Sequence, residues 1–348
     1  MKILFINSSA PNYVADGLFH GLNQIPDVEV VDSPRMNYMY SNATTKDLDK
    51  TGTRGNTLYK LLTEKPEISG ERTLWNFDID TYDRIIFTDI FAECDLFNFI
   101  YKTLHVSRRD RICIVDGYDV NAIFPYFTNM TNLKVRPWVY FYPIRQVRYF
   151  KREFETASSL YGISPERFKG LNTALTSIMK TPPRLLPISM SIPEEHIENI
   201  PWSAKNKDFI DYNLDPALGE LFQQRPVAEL GKWQPAFANQ ADYFNEIRGS
   251  RFGITTKRAG WDCLRHYEYA AKGAILCFKD LEKKNLRCAP HLLTNKNCIP
   301  YSDKNDLLKK IAGKSNTEME ELQGQQYEWV RQFSTLKVAL RFLEQLLN

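Results

Sequence analysis

Short apolar runs alternate in this sequence with stretches whose apolar residues recur at helical spacing, and this alternation constrains the fold more than any other feature. The first run is Lys2–Ile6; a turn-rich segment follows it, and Val14, Leu18 and Leu22 then mark one face of a helix predicted at 14–24. Runs that are apolar throughout are typical of parallel strands covered by helices on both faces. The pattern therefore predicts an α/β protein built from βαβ units.

Further apolar runs at 28–31, 84–88 and 111–115 extend the predicted sheet of the first half. Asp89 and Asp116 follow the last two of these runs. Because parallel sheets bind ligands beyond the carboxyl ends of their strands, acidic residues at these positions are candidates for a functional site.

The clearest βαβ unit lies in the second half. It consists of a predicted strand at 251–256, a loop at 257–261, a helix at 262–272 that Gly273 closes, and a strand at 274–278. A glycine directly after a helix is the commonest C-terminal stop signal, which supports these bounds. The second half thus repeats the pattern of the first.

The chain is expected to divide between these halves. Residues 181–202 are rich in proline and lack periodicity, and 348 residues are about twice the commonest domain size. We therefore expect two Rossmann-like domains that face each other across a cleft. The predicted parts are residues 1–180, a linker at 181–202, residues 203–333, and a C-terminal helix at 334–348 that either packs back on the first domain or contacts a membrane surface.

Charge and composition exclude several classes of protein. The 45 Lys and Arg residues exceed the 42 Asp and Glu residues by only 3, which leaves no electrostatic footprint for nucleic acid. Any anionic ligand must therefore be held by a local group of cations. The 43% hydrophobic and 25% charged fractions are those of ordinary globular proteins rather than of disordered or collagen-like chains.

The apolar run at the N-terminus is too short for a signal peptide, and no run reaches the roughly 18 apolar residues that span a membrane. We therefore expect a soluble, cytoplasmic protein. The 6 cysteines show no CxxC or short Cys/His spacing, which predicts free thiols rather than a zinc site or a disulfide framework.

Three known binding patterns are incomplete in this sequence. No glycine occurs between residues 7 and 13, so the glycine-rich turn of a dinucleotide-binding fold is missing. Residues 313–315 (GKS) match the end of a P-loop, but Leu308 stands where its first glycine belongs. Asp78 and Asp80 have the spacing of a metal-diphosphate site, although they precede a strand; a metal-dependent transferase built on them is kept as an alternative.

The loop at 257–261 has the composition of an anion site. Lys257 and Arg258 stand at the start of a predicted helix, where backbone N–H groups and the helix dipole already favour negative charge. Gly260 would let the backbone approach a phosphate closely, and Asp262 is a natural N-cap. The loop is therefore a candidate site for a diphosphate.

Arg265 and Glu268 are three residues apart and so share one face of the following helix. A diphosphate at the loop and a ribose whose hydroxyls bind Glu268 fit this spacing, because a carboxylate accepts hydrogen bonds from two neighbouring hydroxyls. An ordinary surface ion pair between the two side chains fits it at least as well, so both interpretations stay open at this point.

The run R-x-x-E-x-x-A-x-G at 265–273 resembles the donor-site motif of GT-B glycosyltransferases. Its fixed positions are Arg265, Glu268, Ala271 and Gly273. The chain is most similar to the CgeB-like and exostosin-like branches, over residues 208–312. In the first half the similarity is topological, apart from short segments at 115–119 and 149–153.

This resemblance implies a GT-B glycosyltransferase that needs no metal or other cofactor and uses a nucleotide-diphosphate sugar as co-substrate. The second domain would hold this donor, with Glu268 on the ribose hydroxyls and Lys257, Arg258 and Arg265 on the diphosphate. The first domain would hold a glycan, lipid-linked or protein acceptor, as in polysaccharide biosynthesis. Retaining members often carry a glutamate where this chain has Gly260, so the resemblance favours inversion.

Inverting transfer needs a general base that takes the proton of the acceptor hydroxyl. Asp16, in the turn after the first strand, is the first candidate, with a helix-capping role as the alternative. Asp116 and Asp119, after the fourth strand, come next, and His20 is more simply explained by packing. Residues 151–153 (KRE) are predicted to begin a helix, and a solvated charged face is the plain interpretation of their charges.

The polar segment 33–74 is longer than a simple connection, which favours either a substrate-facing insertion or a mobile lid. A non-catalytic protein that clamps a nucleotide or sugar between two domains is the main alternative to a transferase, because such a protein would keep the same fold without the chemistry.

Overall fold

In the computed structural model, the described residues are 1–8, 11–50, 57–125, 138–153, 184–212, 214–222, 237 and 239–348. Their strands are β1 (Lys2–Ile6), β2 (Glu29–Ser33), β3 (Arg84–Phe87), β4 (Ile112–Asp116), β5 (Arg148–Lys151), β6 (Arg184–Pro187), β7 (Lys207–Phe209), β8 (Ser250–Thr256), β9 (Ile275–Lys279) and β10 (Ile299–Tyr301). Their α-helices are α1 (Tyr13–Asn23), α2 (Thr45–Lys50), α3 (Glu71–Leu74), α4 (Cys94–Thr103), α5 (Trp138–Gln146), α6 (Gln240–Gly249), α7 (Leu264–Ala271), α8 (Lys304–Ala312), α9 (Asn316–Arg331) and α10 (Thr335–Leu347).

Within the described residues the strands form two sheets. A six-stranded sheet in the first half has the order β2-β1-β3-β4-β5-β6, and a four-stranded sheet in the second half has the order β10-β9-β8-β7. Every pairing in both sheets is parallel, so each connection must cross over, and helices such as α1 and α7 lie in these crossovers. The predicted α/β class, with one parallel Rossmann-like sheet in each half of the chain, is confirmed. The exact domain bounds stay predictions, since 154–183 lie outside the described residues.

Helix α1 forms as its sequence pattern predicts, shifted by one residue from the predicted 14–24. The side chain of Asn12 accepts a hydrogen bond from the N–H of Ala15 and so caps the first turn. Val14, Leu18 and Leu22 are buried on one face, where they pack into the core beneath the first sheet. The burial of this stripe is what holds the helix in place.

The C-terminal helix α10 packs against α1, the first helix of the chain. A Cβ on Gly21 of α1 would stand 2.0 Å from the carbonyl oxygen of Thr335, so only glycine permits this approach. The rings of Phe150 in β5 and Phe342 in α10 are 4.4 Å apart. The last helix therefore packs on the first half of the chain, and the side chain of Ser334 caps it by accepting from the N–H of Lys337.

The carboxyl ends of the two sheets face each other. Asp116 ends β4, and Arg152 and Glu153 directly follow β5. Arg152 donates to the carbonyl oxygen of Asp262 at 2.6 Å, and the N–H of Asp262 donates to Glu153 at 2.8 Å. Because Asp262 lies beyond the carboxyl end of β8, this junction is where a site shared by both halves belongs.

One prediction on the first half is wrong. Residues 151–153 do not begin a helix: Lys151 ends strand β5, and Lys151, Arg152 and Glu153 are each at most 2% exposed. Lys151 is buried against Asp116 of the neighbouring strand, and Arg152 and Glu153 are buried because they form hydrogen bonds with Asp262 across the junction, contacts that local sequence does not encode. The interpretation of these residues as a solvated charged face is therefore also wrong.

In the part of the chain that the structure describes, no helix has both the length and the apolar character needed to cross a membrane. The cysteines are all free thiols, and all but Cys263 are buried.

Candidate functional site

Glu268 is a buried carboxylate between the two halves of the chain. It is 8% exposed on α7 and accepts hydrogen bonds from two hydroxyls: that of Tyr243 on α6, at 2.7 Å, and that of Thr57 in the first half. Burial raises the pKa of Glu268, and the two hydroxyl donors act in the opposite direction. The site is therefore an enclosed acceptor for hydroxyl groups.

Arg265 does not form the surface ion pair that the spacing allowed. Its half-buried guanidinium lies 5.1 Å from the ring centre of Tyr212, and neither it nor Glu268, both described residues, joins the other in a salt bridge. Arg265 is nonetheless near enough to lower the pKa of Glu268 by its charge. The plain interpretation of this pair as a surface salt bridge is therefore wrong.

A turn of the first half reaches into this site. The hydroxyl of Thr57 contacts Glu268, and its carbonyl oxygen lies 3.1 Å from Nε2 of His196. Lys60, at the end of the same turn, has a φ of 61°, in the left-handed region that few residues other than glycine adopt. Both oxygen atoms of Thr57 thus engage the second half of the chain.

The loop after β8 carries the predicted diphosphate cations. Lys257 is exposed, with its ammonium 5.0 Å from the ring centre of Trp261, and Arg258 is half-buried. The N–H of Arg258 donates to the carbonyl oxygen of Gly260 at 3.2 Å, which closes a tight turn. The loop leads directly to the N-terminus of α7, so its cations and the positive end of that helix lie together.

Asp262 was predicted to be the N-cap of α7, and this prediction is wrong. The helix begins at Leu264, and its N-cap Cys263 makes no capping hydrogen bond through its side chain. The carboxylate of Asp262 instead accepts from the N–H of Met190 and the hydroxyl of Tyr267, each at 2.9 Å. Burial raises the pKa of Asp262 to about 6, while the charge of Arg152 lowers it.

Gly260 allows a close approach, but to carboxylates of the first half. A Cβ at this position would stand 2.5 Å from Oε1 of Glu153 and 2.9 Å from Oδ1 of Asp119. The buried guanidinium of Arg152 donates to both carboxylates and to the carbonyl oxygens of Gly117 and Asp262. Arg152 therefore offsets the negative charge that lies beside the loop.

Asp119 and Asp116 lie in different surroundings although both follow β4. The side chain of Asp119 is 51% exposed and pairs with Arg152 at the junction. Asp116 is buried and accepts from the hydroxyl of Tyr149 at 2.5 Å, from Nζ of Lys151 at 3.0 Å and from the N–H of Tyr118 at 3.0 Å. Of the two, only Asp119 is open to a substrate.

Asp16 is fully buried in the first turn of α1. Its Oδ1 accepts from the hydroxyl of Tyr38 at 2.8 Å, and its Oδ2 has no hydrogen-bond partner among the described residues. Burial raises the pKa of Asp16 to about 8, against the hydrogen bond from Tyr38, which lowers it. The N-cap of α1 is Asn12, and the backbone N–H of Asn12 also lowers the pKa of Asp16, so Asp16 contacts the first turn without being the cap residue itself.

A cluster of tyrosines connects Asp16 with Glu268. The rings of Tyr38 and Tyr59 are 4.9 Å apart, and Tyr59 is two residues from Thr57. Burial, and then the neighbouring Tyr59, Glu268 and Asp16, raise the pKa of Tyr13 at the start of α1. The two carboxyl groups therefore act on the same phenol from opposite halves of the chain.

Other candidate residues lie apart from this site. Asp80 is exposed and pairs with Arg108 at the amino end of β3, the edge opposite the junction, and Asp78 precedes the same end. His20 is buried, with Nδ1 2.8 Å from the hydroxyl of Thr335, and so contributes to the packing of α10. In the described ranges, no group of three His, Cys, Asp or Glu side chains is arranged to hold a metal ion.

Sequence reasoning missed the partners of Glu268. Thr57 belongs to the segment 33–74, whose unusual content of Tyr, Asn and Thr is the only signal that it contacts a ligand site. Tyr243 carries no local signal, because a tyrosine on a helix is more often part of a core than of a site. The contact of either residue with Glu268 depends on the tertiary fold, although the segment that holds Thr57 was predicted as a substrate-facing insertion or a lid.

No protein-family model matches this sequence, and no curated protein matches it. Among solved structures, a GtfA/B complex aligns with 79% of the chain at 11% identity and a TM-score of 0.43, and the chain spans 59% of its length. The glycosyltransferase from Rickettsia africae aligns with 99% of this chain and 97% of its own at 10% identity, with a TM-score of 0.45. UDP-GlcNAc 2-epimerase from Neisseria meningitidis, bound to UDP-GlcNAc, aligns over 100% of both chains at 10% identity, with a TM-score of 0.42. The fold class assigned above rests on the two parallel sheets.

Proposed function

We propose that this chain is a GT-B glycosyltransferase that binds a nucleotide-diphosphate sugar at α7 and transfers the sugar without a metal ion. The observation that carries the proposal is Glu268, a buried carboxylate whose partners are the hydroxyls of Thr57 and Tyr243. A ribose presents two neighbouring hydroxyls, so it can satisfy the same two oxygen atoms.

The diphosphate would lie toward the N-terminus of α7. Lys257, Arg258 and Arg265 supply positive charge near this end, and the first-turn N–H groups of α7 have no side-chain cap. Cations at this position would stabilise the diphosphate as negative charge develops on it during departure. The carboxylates of Asp119 and Glu153, both paired with Arg152, occupy the space beside Gly260 and so limit how closely a phosphate can approach it.

The acceptor would bind on the first half, as a glycan, a lipid-linked precursor or a protein. Asp16 is our first candidate for the general base, since burial raises its pKa to about 8 and its carboxylate becomes able to accept a proton as the pH rises through that value. Asp119 is the second candidate, because it is exposed at the junction beside the donor loop. Attack directed by either base on the face opposite the diphosphate gives inversion.

Titration calorimetry with a panel of nucleoside diphosphates tests donor binding. Glu268→Gln should weaken binding by about 1.5–3 kcal/mol, the usual worth of a hydrogen bond to a charged group. Glu320→Gln is the matched control, because Glu320 is exposed on α9. Absence of binding to every nucleotide, or equal binding by both variants and the wild type, would contradict the site.

A non-catalytic nucleotide- or sugar-binding clamp is the second candidate. It is favoured by the pairing of Asp119 with Arg152, which would oppose proton abstraction by that carboxylate. Assays for donor hydrolysis and transfer over a broad range of acceptors separate the two proposals. Nucleotide binding without any turnover would support the clamp, whereas turnover that Asp16→Asn or Asp119→Asn abolishes would support the enzyme.

A further inference from the structure

Two adjoining cavities lie beside the chain that follows β6. Their volumes are about 310 and 240 Å³, and Pro187 and His291 line both of them. The larger one lies between β5 and the two C-terminal helices, where Phe150, Phe333 and Phe342 form part of its wall. The two cavities therefore form one recess with mainly apolar walls.

Two leucines of the loop between β9 and β10 stand at this recess and point into solvent. Leu286 lines the smaller cavity and is 89% exposed, and Leu292 lines the larger one and is 64% exposed. Leu292 also has a φ of 60°, a left-handed conformation that is unfavourable for a residue with a branched side chain. Strain of this kind concentrates at functional segments.

The charged side chains around the recess are cationic. Among the described lining residues these are Lys151, Arg287 and Arg341, and none of the described lining residues is Asp or Glu. Lys151 is buried against Asp116 at 3.0 Å, whereas both arginines are exposed. Burial lowers the pKa of His291 to about 4, so the imidazole is neutral at physiological pH and the arginines supply the charge.

We propose that the surface formed by Leu286, Arg287, Leu292 and Arg341 binds a membrane that contains anionic phospholipids. Apolar side chains gain free energy when they leave water for the acyl boundary, and guanidinium groups are attracted to lipid phosphates and donate hydrogen bonds to them. The recess that the two leucines line has mainly apolar walls as well. Apolar tips, cationic flanks and the lack of carboxylates among the described lining residues match the chemistry of such a membrane surface.

A second copy of the chain fits this surface less well. In a two-fold dimer a patch contacts its own copy, so Arg287 and Arg341 would meet the same two arginines of the other molecule. No described carboxylate that lines the recess could offset this repulsion.

Flotation of the whole chain with lipid vesicles tests the proposal. We expect binding to vesicles of phosphatidylcholine mixed with phosphatidylglycerol, and none to phosphatidylcholine alone. The double variant Leu286→Gln, Leu292→Asn should lower the partition coefficient about tenfold or more, because two apolar insertions are lost. Asparagine is chosen at position 292 because it tolerates the left-handed backbone conformation. Arg287→Gln should lower the coefficient about fivefold, the worth of one surface cation.

Leu74→Gln is the matched control, since Leu74 is 57% exposed on α3, in the first half of the chain. Circular dichroism checks that each variant folds. Failure of the wild type to bind anionic vesicles, or equal binding by the wild type and the double variant, overturns the proposal. The proposal is also overturned if the wild type does not bind vesicles but self-associates, and the double variant does not self-associate. That result would assign the surface to a second copy of the chain.

Discussion

The hydroxyl of Thr57 donates a hydrogen bond to Oε1 of Glu268, although 211 residues separate the two in sequence. The other oxygen of this carboxylate accepts from Tyr243, so both oxygens are occupied by hydroxyls of the protein. If Glu268 binds a ribose, the hydroxyl of Thr57 and a ribose hydroxyl require the same acceptor. Donor binding must then displace the Thr57 turn from α7.

We expect Thr57→Val to tighten the binding of nucleoside diphosphates. Valine has nearly the shape of threonine but cannot donate to Glu268, so the ligand no longer competes with a protein hydroxyl. Loss of one competing hydrogen bond of about 1 kcal/mol corresponds to a roughly fivefold lower dissociation constant. Titration calorimetry of the variant against the wild type measures this change.

Thr103→Val, at the exposed end of α4, controls for the loss of a threonine hydroxyl elsewhere. Weaker binding by Thr57→Val would show that Thr57 positions Glu268 for the ligand instead of competing with it. Unchanged binding would show that the contact between Thr57 and Glu268 has no part in nucleotide binding.

Asp16 should make the stability of the fold depend on pH. Folding raises the pKa of this carboxyl from 3.8 to about 8, so the folded state retains a proton that the unfolded chain releases. The associated stabilisation is complete below pH 3.8 and is lost as the pH rises to about 8. We expect the free energy of unfolding to fall across this window in the wild type and to fall less in Asp16→Asn, which urea unfolding at several pH values measures.

If Asp16 is also the general base, kcat/KM should rise as the pH approaches about 8, and Asp16→Asn should be inactive while remaining folded. Parallel pH profiles of stability in the two proteins would indicate that Asp16 does not titrate in this window. If Asp16→Asn is active, Asp16 is not the general base and Asp119 becomes the first candidate.

Strands β1 to β4, β8 and β9 and the position of α7 follow from local sequence, because apolar runs are typical of buried parallel strands, whereas β5 and β6 were not predicted. The same local rules could not predict the contacts between the halves. Residues 151–153 have the composition of a surface charge cluster. The burial of Arg152 depends on its contact with Asp262 in the loop after β8, which is more than 100 positions away in sequence.

The cap of α7 illustrates the same limit at a single residue. Aspartate is a preferred N-cap, yet the carboxylate of Asp262 is bound by Met190 and Tyr267, so Cys263 takes the capping position. Capping preference is worth about 1 kcal/mol, and two hydrogen bonds in a buried place outweigh it. A prediction from spacing alone therefore fails where the fold offers a better partner.

Arg152→Met should destabilise the protein strongly. The guanidinium of Arg152 pairs with Asp119 and Glu153 and donates to two backbone carbonyl oxygens, all at the junction between the sheets. Removing one partner from a buried ion network leaves the others unpaired and costs about 3–5 kcal/mol. Urea unfolding measures this loss.

The matched control is Arg108→Met, which breaks the exposed pair with Asp80 and should cost about 0–1 kcal/mol. Similar losses in both variants would mean that the Arg152 network does not hold the two halves together.

Gly21→Ala should loosen the packing of α10 on α1. A Cβ at this position would stand 2.0 Å from the backbone carbonyl oxygen of Thr335, which cannot move without displacing α10, so we expect a loss of about 1–3 kcal/mol or more in urea unfolding. Gly324→Ala in α9 is the control, because a Cβ there meets no atom within 4 Å. That substitution should stabilise the protein by about 0.5–1 kcal/mol, since alanine favours the helix. A gain in stability from Gly21→Ala as well would contradict the close contact between the first and last helices.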